Sequence, residues 1–359
     1  MLSSALAITR IGTNVQPQSL GEMTLTPVGD SGRYFGEQNI DATRTQVLET
    51  WNPAQVHWHG AHSFQTGILL AYAEDRGQLD NSEVILRDTN GNLLQTVTYS
   101  GPGSYHVTDI EPAVYAQDHW VMGSRFAADA GLRWETQSLT SATRLAPRAG
   151  FTWTPIADAQ SPIIRGGMGA FYDQVPLNTY AFRNYPLQTV TTYDGHGNIT
   201  DGPRLFENVI ATDPHSPFPF IDQKNQSGNF SPYSLTWNVE AEQALSSVGS
   251  LRLRYSQSEA NNQLTLQSQV TQDQSALVLS GSGSGQTKQF DITAGIGSDE
   301  EHHAYFSYAR QLARGVLTNV ANYLGAFRYP VVRSLALAVQ KERFRTDFSF
   351  GECGISHGA

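Results

Sequence analysis

Apolar and polar residues alternate strictly in several ten-residue segments between Val114 and Tyr172. In the clearest segment, 126–135, the apolar positions are Phe126, Ala128, Ala130, Leu132 and Trp134. The positions between them include Asp129, Arg133 and Glu135. Because successive side chains of a strand point to opposite faces, this pattern predicts a strand with one apolar and one polar face. Strands of globular proteins usually run about five or six residues, whereas a tilted strand needs roughly 9–11 to cross a bilayer.

The same alternation predicts an all-β chain of roughly 14 strands. Further alternating segments are 114–120, 145–153, 164–173, 233–242, 251–255, 290–296 and 304–310. Before them we expect strands at 44–48 and 55–75, then a hairpin at 83–99 whose Asn90-Gly91 dipeptide favours a tight turn.

The links between these strands alternate in length. Short links fall near 121–125, 155–161, 243–249 and 297–303, whereas long ones cover 174–230, about 257–286 and the region beyond 311. The link near 137–143 stays short. Transmembrane barrels combine short periplasmic turns with long extracellular loops, so the pattern predicts an antiparallel transmembrane β-barrel with both. The 174–230 segment is expected to be a long extracellular loop rich in aromatic residues and proline.

Composition narrows the possible functions. The net charge is −10, with only 23 Lys and Arg, which argues against nucleic acid as a partner. Mean hydropathy is −0.35, which a barrel tolerates because only alternate residues of its strands face lipid. The sequence contains no run of about 18 apolar residues, so it predicts no membrane-spanning helix. It has a single cysteine, Cys353, which excludes an internal disulfide framework.

Five segments then resemble one known family. They are YAQDHW (115–120), AADAGLRWE (127–135), LAPRAGFTWTP (145–155), IIRGGMGAFYDQVP (163–176) and NFSPYSLTWNVEAEQAL (229–245). In this order they resemble successive barrel strands of TonB-dependent outer-membrane transporters, most closely the Oar-like group, over residues 40–335. The resemblance implies a non-enzymatic receptor in the outer membrane of a Gram-negative bacterium. It also implies uptake of a large solute with the help of a plug domain and the TonB complex.

The resemblance covers only part of such a protein. Transporters of that family have a barrel of about 22 strands around a plug. Neither a plug nor a TonB box precedes residue 40, and GECGISHGA follows the alternating Phe344, Phe348 and Phe350. We therefore expect residues 1–359 to form a partial outer-membrane barrel domain without its plug.

The two faces of the strands suggest two sets of functional residues. Charged residues expected to line the lumen are Asp129, Arg133, Glu135, Arg148, Arg165, Glu240 and Arg252. Aromatic residues near strand ends are expected to form a belt at the membrane interface, and these are Trp120, Trp134, Trp153, Tyr172 and Trp237.

Other candidate sites are less specific. In the long loop, Tyr180, Tyr185, Tyr193 and Phe206 could contact a ligand at the barrel mouth or pack the loop onto itself. His57, His59 and His62 have types and spacing compatible with a metal, or they are ordinary strand residues. No catalytic residues and no cofactor are predicted. A soluble extracellular all-β carbohydrate-binding module stays open as the alternative, and a β-rich hydrolase as a weaker one.

Overall fold

Long antiparallel strands dominate the protein, as a computed structural model shows. The structure describes residues 1–17, 21–101, 103–140, 143–156, 161–211, 230–246, 249–271, 274–297, 303–316, 320–324, 328 and 341–350. The strands in these ranges are β1 (Leu2–Val15), β2 (Met23–Thr26), β3 (Gly29–Ser31), β4 (Gly36–Trp51), β5 (Val56–His57), β6 (Ala61–Asn81), β7 (Val84–Arg87), β8 (Leu93–Ser100), β9 (Ser104–Met122), β10 (Phe126–Glu135), β11 (Arg144–Trp153), β12 (Ile163–Tyr172), β13 (Leu187–Tyr193), β14 (Ile199–Ile210), β15 (Tyr233–Ser246), β16 (Gly249–Val270), β17 (Ser275–Gly297), β18 (His303–Val316) and β19 (Lys341–Phe350). The helices are α1 (Leu177–Ala181), a 3₁₀ turn (Phe182–Asn184) and α2 (Val320–Leu324).

Twelve of these strands form the main sheet. Their order is β1-β4-β6-β9-β10-β11-β12-β15-β16-β17-β18-β19, and every neighbouring pair is antiparallel. They are 10 to 23 residues long, which reaches or exceeds the roughly 9–11 residues that cross a bilayer. Among the described residues, β1 pairs only with β4 and β19 only with β18, so this sheet is open.

A smaller side sheet lies at the end of the main sheet from which the long links emerge. Its order is β3-β2-β7-β8-β13-β14, with β2 and β7 parallel. Strand β14 also joins the main sheet, because its Glu207–Ile210 end pairs in parallel with Ala276–Leu279 of β17. The side sheet therefore continues the fold beyond the predicted membrane strands.

An apolar cluster, the apical core, fills the space around the side sheet. It consists of Met23, Leu25, Phe35, Leu79, Val84, Val97, Tyr105, Val175, Tyr180, Ala181, Phe182, Tyr185, Val190, Phe206, Ile210, Phe230, Leu266, Leu277, Leu279, Tyr323 and Leu324. Its members come from both sheets and from both α-helices. Burying this much apolar surface holds the side sheet against the ends of β6, β9, β16 and β17.

All three predicted long links contain regular structure, and the region beyond 311 holds the end of β18, α2 and β19. The 174–230 segment holds α1, the 3₁₀ turn, β13 and β14. The region 257–286, expected as a long link, is mostly strand, because β16 and β17 continue to a short connection at 271–274. Residues 212–229 of the first segment lie outside the described residues. Within the described part of the chain, no helix is long and apolar enough to cross a membrane.

Candidate binding surface on the polar face

The charged residues predicted to line a lumen all lie on one face of the main sheet. They are Asp129, Arg133, Glu135, Arg148, Arg165, Glu240 and Arg252. Residues paired across an antiparallel ladder share a face, and every second residue along a strand returns to it. Asp129 pairs with Gly150, and Gly150 pairs with Gly167, so these three residues share a face. Arg165 lies two residues before Gly167 on the same strand and pairs with Glu240, so both lie on that face as well. We call this surface the polar face and the opposite surface the apolar face.

Ion pairs lie between and along the strands of the polar face. Arg165 Nη1 lies 3.0 Å from Glu240 Oε1 and 2.8 Å from Glu242 Oε2. Arg133 Nε donates to Glu135 Oε2 at 2.5 Å. The Arg165 side chain is 41% exposed, so each of its pairs stabilises the fold by no more than about 1 kcal/mol. Their main effect is to fix the positions of the charged side chains along the polar face.

Two further contacts place a histidine and an aromatic ring among these charges. His119 Nδ1 lies 2.7 Å from Asp129 Oδ1, so these two side chains link β9 to β10. The Arg148 guanidinium lies 4.7 Å from the centre of the Phe171 ring, a cation–π contact on the same face.

These groups border a recess of about 630 Å³. The polar-face side chains around it are Ser63, Gln65, Tyr115, Gln117, His119, Asp129, Arg133, Arg148, Phe171, Thr236 and Asn238. Its volume lies within the range of roughly 300–1,000 Å³ typical of small-molecule sites. Amide, hydroxyl, charged and aromatic groups therefore converge on one depression in the wall.

Glycines form the floor of this recess, namely Gly131, Gly150, Gly167 and Gly169. None of the four has the positive φ that favours glycine. A Cβ at Gly150 would come no closer than 3.4 Å to another atom, and one at Gly167 no closer than 3.6 Å. Glycine in a strand costs roughly 0.5–1 kcal/mol relative to alanine. Neither backbone conformation nor local packing requires these two glycines, and their effect is to keep the floor bare.

Two buried acidic residues, which are not among the predicted lumen residues, secure the polar face above the recess. Asp109 accepts hydrogen bonds from Gln137 Nε2 at 2.9 Å and Ser138 Oγ at 2.7 Å. Glu111 accepts one from Gln174 Nε2 at 2.7 Å and pairs with Arg44 at 2.6 Å. The sequence does carry a signal for these two residues. Asp109 and Glu111 lie two positions apart and in phase with Ala113 and Tyr115, which places all four on the same face of the strand.

The predicted belt aromatics, Trp120, Trp134, Trp153, Tyr172 and Trp237, all lie on the apolar face. Trp153 pairs with Phe126, and Trp134 lies eight residues further along β10. Eight residues span roughly 26 Å along a strand. For a strand tilted by about 40°, this separates the two tryptophans by about 20 Å along the membrane normal. Whether they contact the membrane interface stays a prediction.

The three histidines considered for a metal do not come together as ligands. His62 Nδ1 lies 2.6 Å from Asp118 Oδ2, and His62 Nε2 lies 3.0 Å from the Trp58 carbonyl oxygen. His57 and His59 are exposed. Within the described ranges, no group of three or more His, Cys, Asp or Glu residues could hold a metal ion.

The His62–Asp118 pair lies on the apolar face, where the alternation predicts apolar residues. The His62 ring stacks on Phe64 with centroids 5.7 Å apart and on Trp120 at 5.1 Å. Asp118 and His119 are adjacent on β9 and therefore point to opposite faces of the sheet. The missed signal was the acidic Asp118 in phase with Ala116 and Trp120.

Three of the four aromatics that could contact a ligand at the mouth belong to the apical core. Tyr180, Tyr185 and Phe206 are buried in the apical core, and burial raises the pKa of both tyrosines. Tyr193 is half-buried, and its hydroxyl lies 3.5 Å from Thr96 Oγ1. The rings of Tyr180, Tyr185 and Phe206 pack the segment onto itself, as in the alternative interpretation, and ligand contact by the four aromatics stays a prediction.

Two exposed loops with the same construction cap the side sheet. Asp88 Oδ1 accepts hydrogen bonds from the backbone of Asn90 and Asn92, and Asp194 Oδ1 does the same from His196 and Asn198. The side-chain amides of Asn92 and Asn198 also donate to Asp88 and Asp194 respectively, which lowers the pKa of each carboxyl. The predicted hairpin at 83–99 is present, with this anchored loop as its turn.

Comparison with known proteins adds a family and a fold. Residues 136–323, just over half of the chain, match the family described as "Outer membrane beta barrel domain". Among solved structures, the outer membrane transporter YddB from Escherichia coli aligns with a TM-score of 0.58 and 14% identity. The alignment covers 89% of this chain and 41% of the YddB chain. No curated protein sequence matches the chain.

A second solved structure is similar over almost the whole chain. The siderophore receptor PirA from Acinetobacter baumannii aligns with a TM-score of 0.51 and 10% identity, covering 97% of this chain and 52% of the other. At such identities the likeness shows the fold alone. The chain thus spans about two fifths of the YddB chain and about half of the PirA chain.

Proposed function

Since the chain belongs to the outer membrane beta barrel domain family and its place is the outer membrane of a Gram-negative bacterium, we propose that it forms a wall of a TonB-dependent transporter. In this proposal the polar face lines the lumen and the apolar face contacts lipid. The activity is uptake of a large solute, without catalysis. The observation that carries the proposal is the register, which gathers the ion pairs of Arg165 and Arg133 and the recess on one face and the belt aromatics on the other.

The finer assignment rests on sequence resemblance. The five strand segments resemble the Oar-like group, and the family match at residues 136–323 contains three of them. We propose that the complete transporter includes a plug domain and works with the TonB complex. Similar solved structures are a transporter and a siderophore receptor, which supports transport as the class of activity.

Strand length argues against the soluble carbohydrate-binding alternative. A soluble sandwich is expected to have strands of about five or six residues. Each of the twelve main-sheet strands has at least 10 residues. In the recess, the glycine floor leaves the backbone exposed and polar side chains converge. Both features are expected of a lumen wall along which a solute moves.

Cysteine accessibility tests the orientation of the two faces. Gly166 and Gly167 are adjacent on β12 and point to the apolar and polar faces respectively. In a Cys353→Ser background, which removes the only native cysteine, Gly167→Cys should react with a membrane-impermeant maleimide in intact outer membranes. Gly166→Cys should be protected there and should react after detergent denaturation.

The matched pair makes the outcome decisive. Equal labelling of both cysteines in the membrane would contradict the assignment of the faces. Recovery of the protein in the soluble fraction, without heat-modifiable migration in gels, would contradict the barrel itself.

A further inference from the structure

A buried arginine at the apical core carries a charge that no described carboxylate balances. Arg328 is only 3% exposed, and its guanidinium carbon lies 5.8 Å from the centres of both the Phe35 and the Tyr185 rings. None of the arginine ion pairs formed within the described ranges includes Arg328. A guanidinium stays protonated inside proteins, so Arg328 cannot lose its charge as a buried lysine or histidine can. Burying such a charge is costly unless an opposite charge accompanies it.

Unpartnered donor groups surround this charge. Arg328 Nη2 donates to Asn81 Oδ1 at 2.8 Å, whereas Arg328 Nε and Nη1 are buried and have no hydrogen-bond partner. Asn81 Nδ2 and the Tyr99 hydroxyl are buried without a partner as well. The Tyr99 ring stacks on Phe35 with centroids 5.6 Å apart, and the Arg328 charge acts on its hydroxyl. Buried polar atoms of native proteins nearly all have partners, so these four atoms around one charge indicate a ligand.

The donor set defines the chemistry of that ligand. Guanidinium and amide nitrogens only donate hydrogen bonds, and a tyrosine hydroxyl can donate one. The complementary ligand therefore accepts hydrogen bonds and is negatively charged. Asp75, six residues before Asn81 on β6, does not fill this role, because it accepts a hydrogen bond from the Tyr105 hydroxyl at 3.3 Å and forms no ion pair with Arg328. A monovalent anion balances the single positive charge of Arg328, whereas a divalent anion exceeds it.

We propose that Arg328, Asn81 and Tyr99 form a buried binding site for one small monovalent inorganic anion, with chloride as the probe. Hydrogen bonds from a charged donor are roughly twice as strong as those between neutral groups. The guanidinium is closely packed, since a Cβ at Gly36 would lie 3.2 Å from Arg328 Nη2, so the site favours a small ion. This site is separate from the transport function, and it does not depend on which face of the main sheet contacts lipid.

The anion site joins segments that are far apart in the sequence. The Tyr34 hydroxyl, just before β4, donates to the Arg328 carbonyl oxygen at 2.7 Å. Asn81 is the last residue of β6, and Arg328 follows α2, which comes after β18. Strands β4 and β18 are each next to an edge strand of the open main sheet. The donors come together only in the folded chain, so an anion bound there stabilises the apical core against unfolding.

Unfolding of the full chain at increasing chloride concentration tests the proposal. Sodium gluconate replaces sodium chloride at constant ionic strength, and urea unfolding in detergent micelles is followed by tryptophan fluorescence. Above the dissociation constant, one bound anion lowers the unfolding constant about tenfold for each tenfold rise in chloride. We expect this slope for the native chain and none for R328Q. The control R87Q, which removes an arginine that donates to Gly91 in an exposed loop, should keep the slope.

A second variant and a direct measurement complete the test. Y99F keeps the stacked ring and removes one donor, so it should need several-fold more chloride for the same stabilisation. Crystals of the full chain grown with bromide should show anomalous density within hydrogen-bond distance of Arg328 Nε or Nη1.

Three results would overturn the anion site. They are a native chain whose unfolding does not respond to chloride, an R328Q variant that responds as strongly as the native chain, and bromide density absent from Arg328. A native chloride requirement in Y99F would contradict Tyr99 as a donor. Heat-modifiable migration shows whether each variant has folded, and if R328Q does not fold, the native chloride response and the bromide position decide.

Discussion

Alanine at two adjacent glycines of β12 should change stability in opposite directions. An ideal Cβ at Gly166 lies 2.5 Å from Cε1 of Phe151, its partner across the ladder on the apolar face. A Cβ at Gly167, on the polar face, meets nothing closer than the Ala149 carbonyl oxygen at 3.6 Å. The two substitutions are the same chemical change on the same strand, so any difference reports on the two faces.

The magnitudes follow from packing. Gly166→Ala forces the Phe151 ring, which is 38% exposed, off the strand, and overpacking of this kind costs about 1–3 kcal/mol. Because the ring can move outward, we expect the lower half of that range. Gly167→Ala causes no clash and reduces the freedom of the unfolded chain, so it should stabilise by roughly 0.5 kcal/mol.

Equilibrium unfolding by urea in detergent micelles, followed by tryptophan fluorescence, measures both changes. In the Phe151→Ala background the ring is gone, so Gly166→Ala should lose most of its cost. The reasoning is refuted if the two single variants shift the midpoint equally, or if the cost at Gly166 persists without the ring.

Further predictions concern the wall and the loop tips. Asp109→Ala leaves buried donors unpaired and should destabilise the protein by about 3 kcal/mol in the same urea assay. Leu132→Arg puts a charge on the apolar face and should cost about 2–4 kcal/mol, whereas Gln117→Arg on the polar face should cost less than about 1 kcal/mol; equal costs would contradict the assignment of the faces. The pKa of Asp88 and of Asp194 is lowered, so the charged carboxylates stabilise the folded loops fully above the ordinary aspartate pKa. This stabilisation is lost as the pH falls through the lowered pKa. Cleavage of these tips by pepsin should therefore rise only at strongly acidic pH, and alanine at either position should remove that dependence.

Alternation was enough to predict the strands and their faces. Side chains alternate between two faces along a strand, so the residues of a segment such as 126–135 show by themselves which face is apolar and which is polar. The strands at 114–120, 145–153 and 164–173 were predicted for the same reason, and the structure places them in β9, β11 and β12. The family match and the similar structures confirm the barrel class.

The rest depends on contacts between distant segments. Residues 256–270 are mostly polar and do not alternate, yet they form strand because β17 pairs with β16 as far as Val270, and β15 pairs on the other side as far as Asn261. Tyr185 and Tyr323 lie together in the apical core, with ring centroids 6.2 Å apart and 138 positions of sequence between them. A contact between residues so far apart in the sequence leaves no local sequence pattern from which it could be predicted. The recess was missed for a similar reason, since its floor combines glycines from three strands whose register was unknown.

The open main sheet also restricts how the barrel can be closed. Neighbouring strands alternate in direction from β1 to β19, and the described sheet contains twelve of them, so its two edge strands run in opposite directions. Unpaired edges are not tolerated in lipid, and bacterial barrels close with an even number of antiparallel strands. Twelve is already even. Any strands that lie between β19 and β1 in the finished barrel must therefore be even in number, added as whole hairpins, because a single extra strand would meet one edge in parallel.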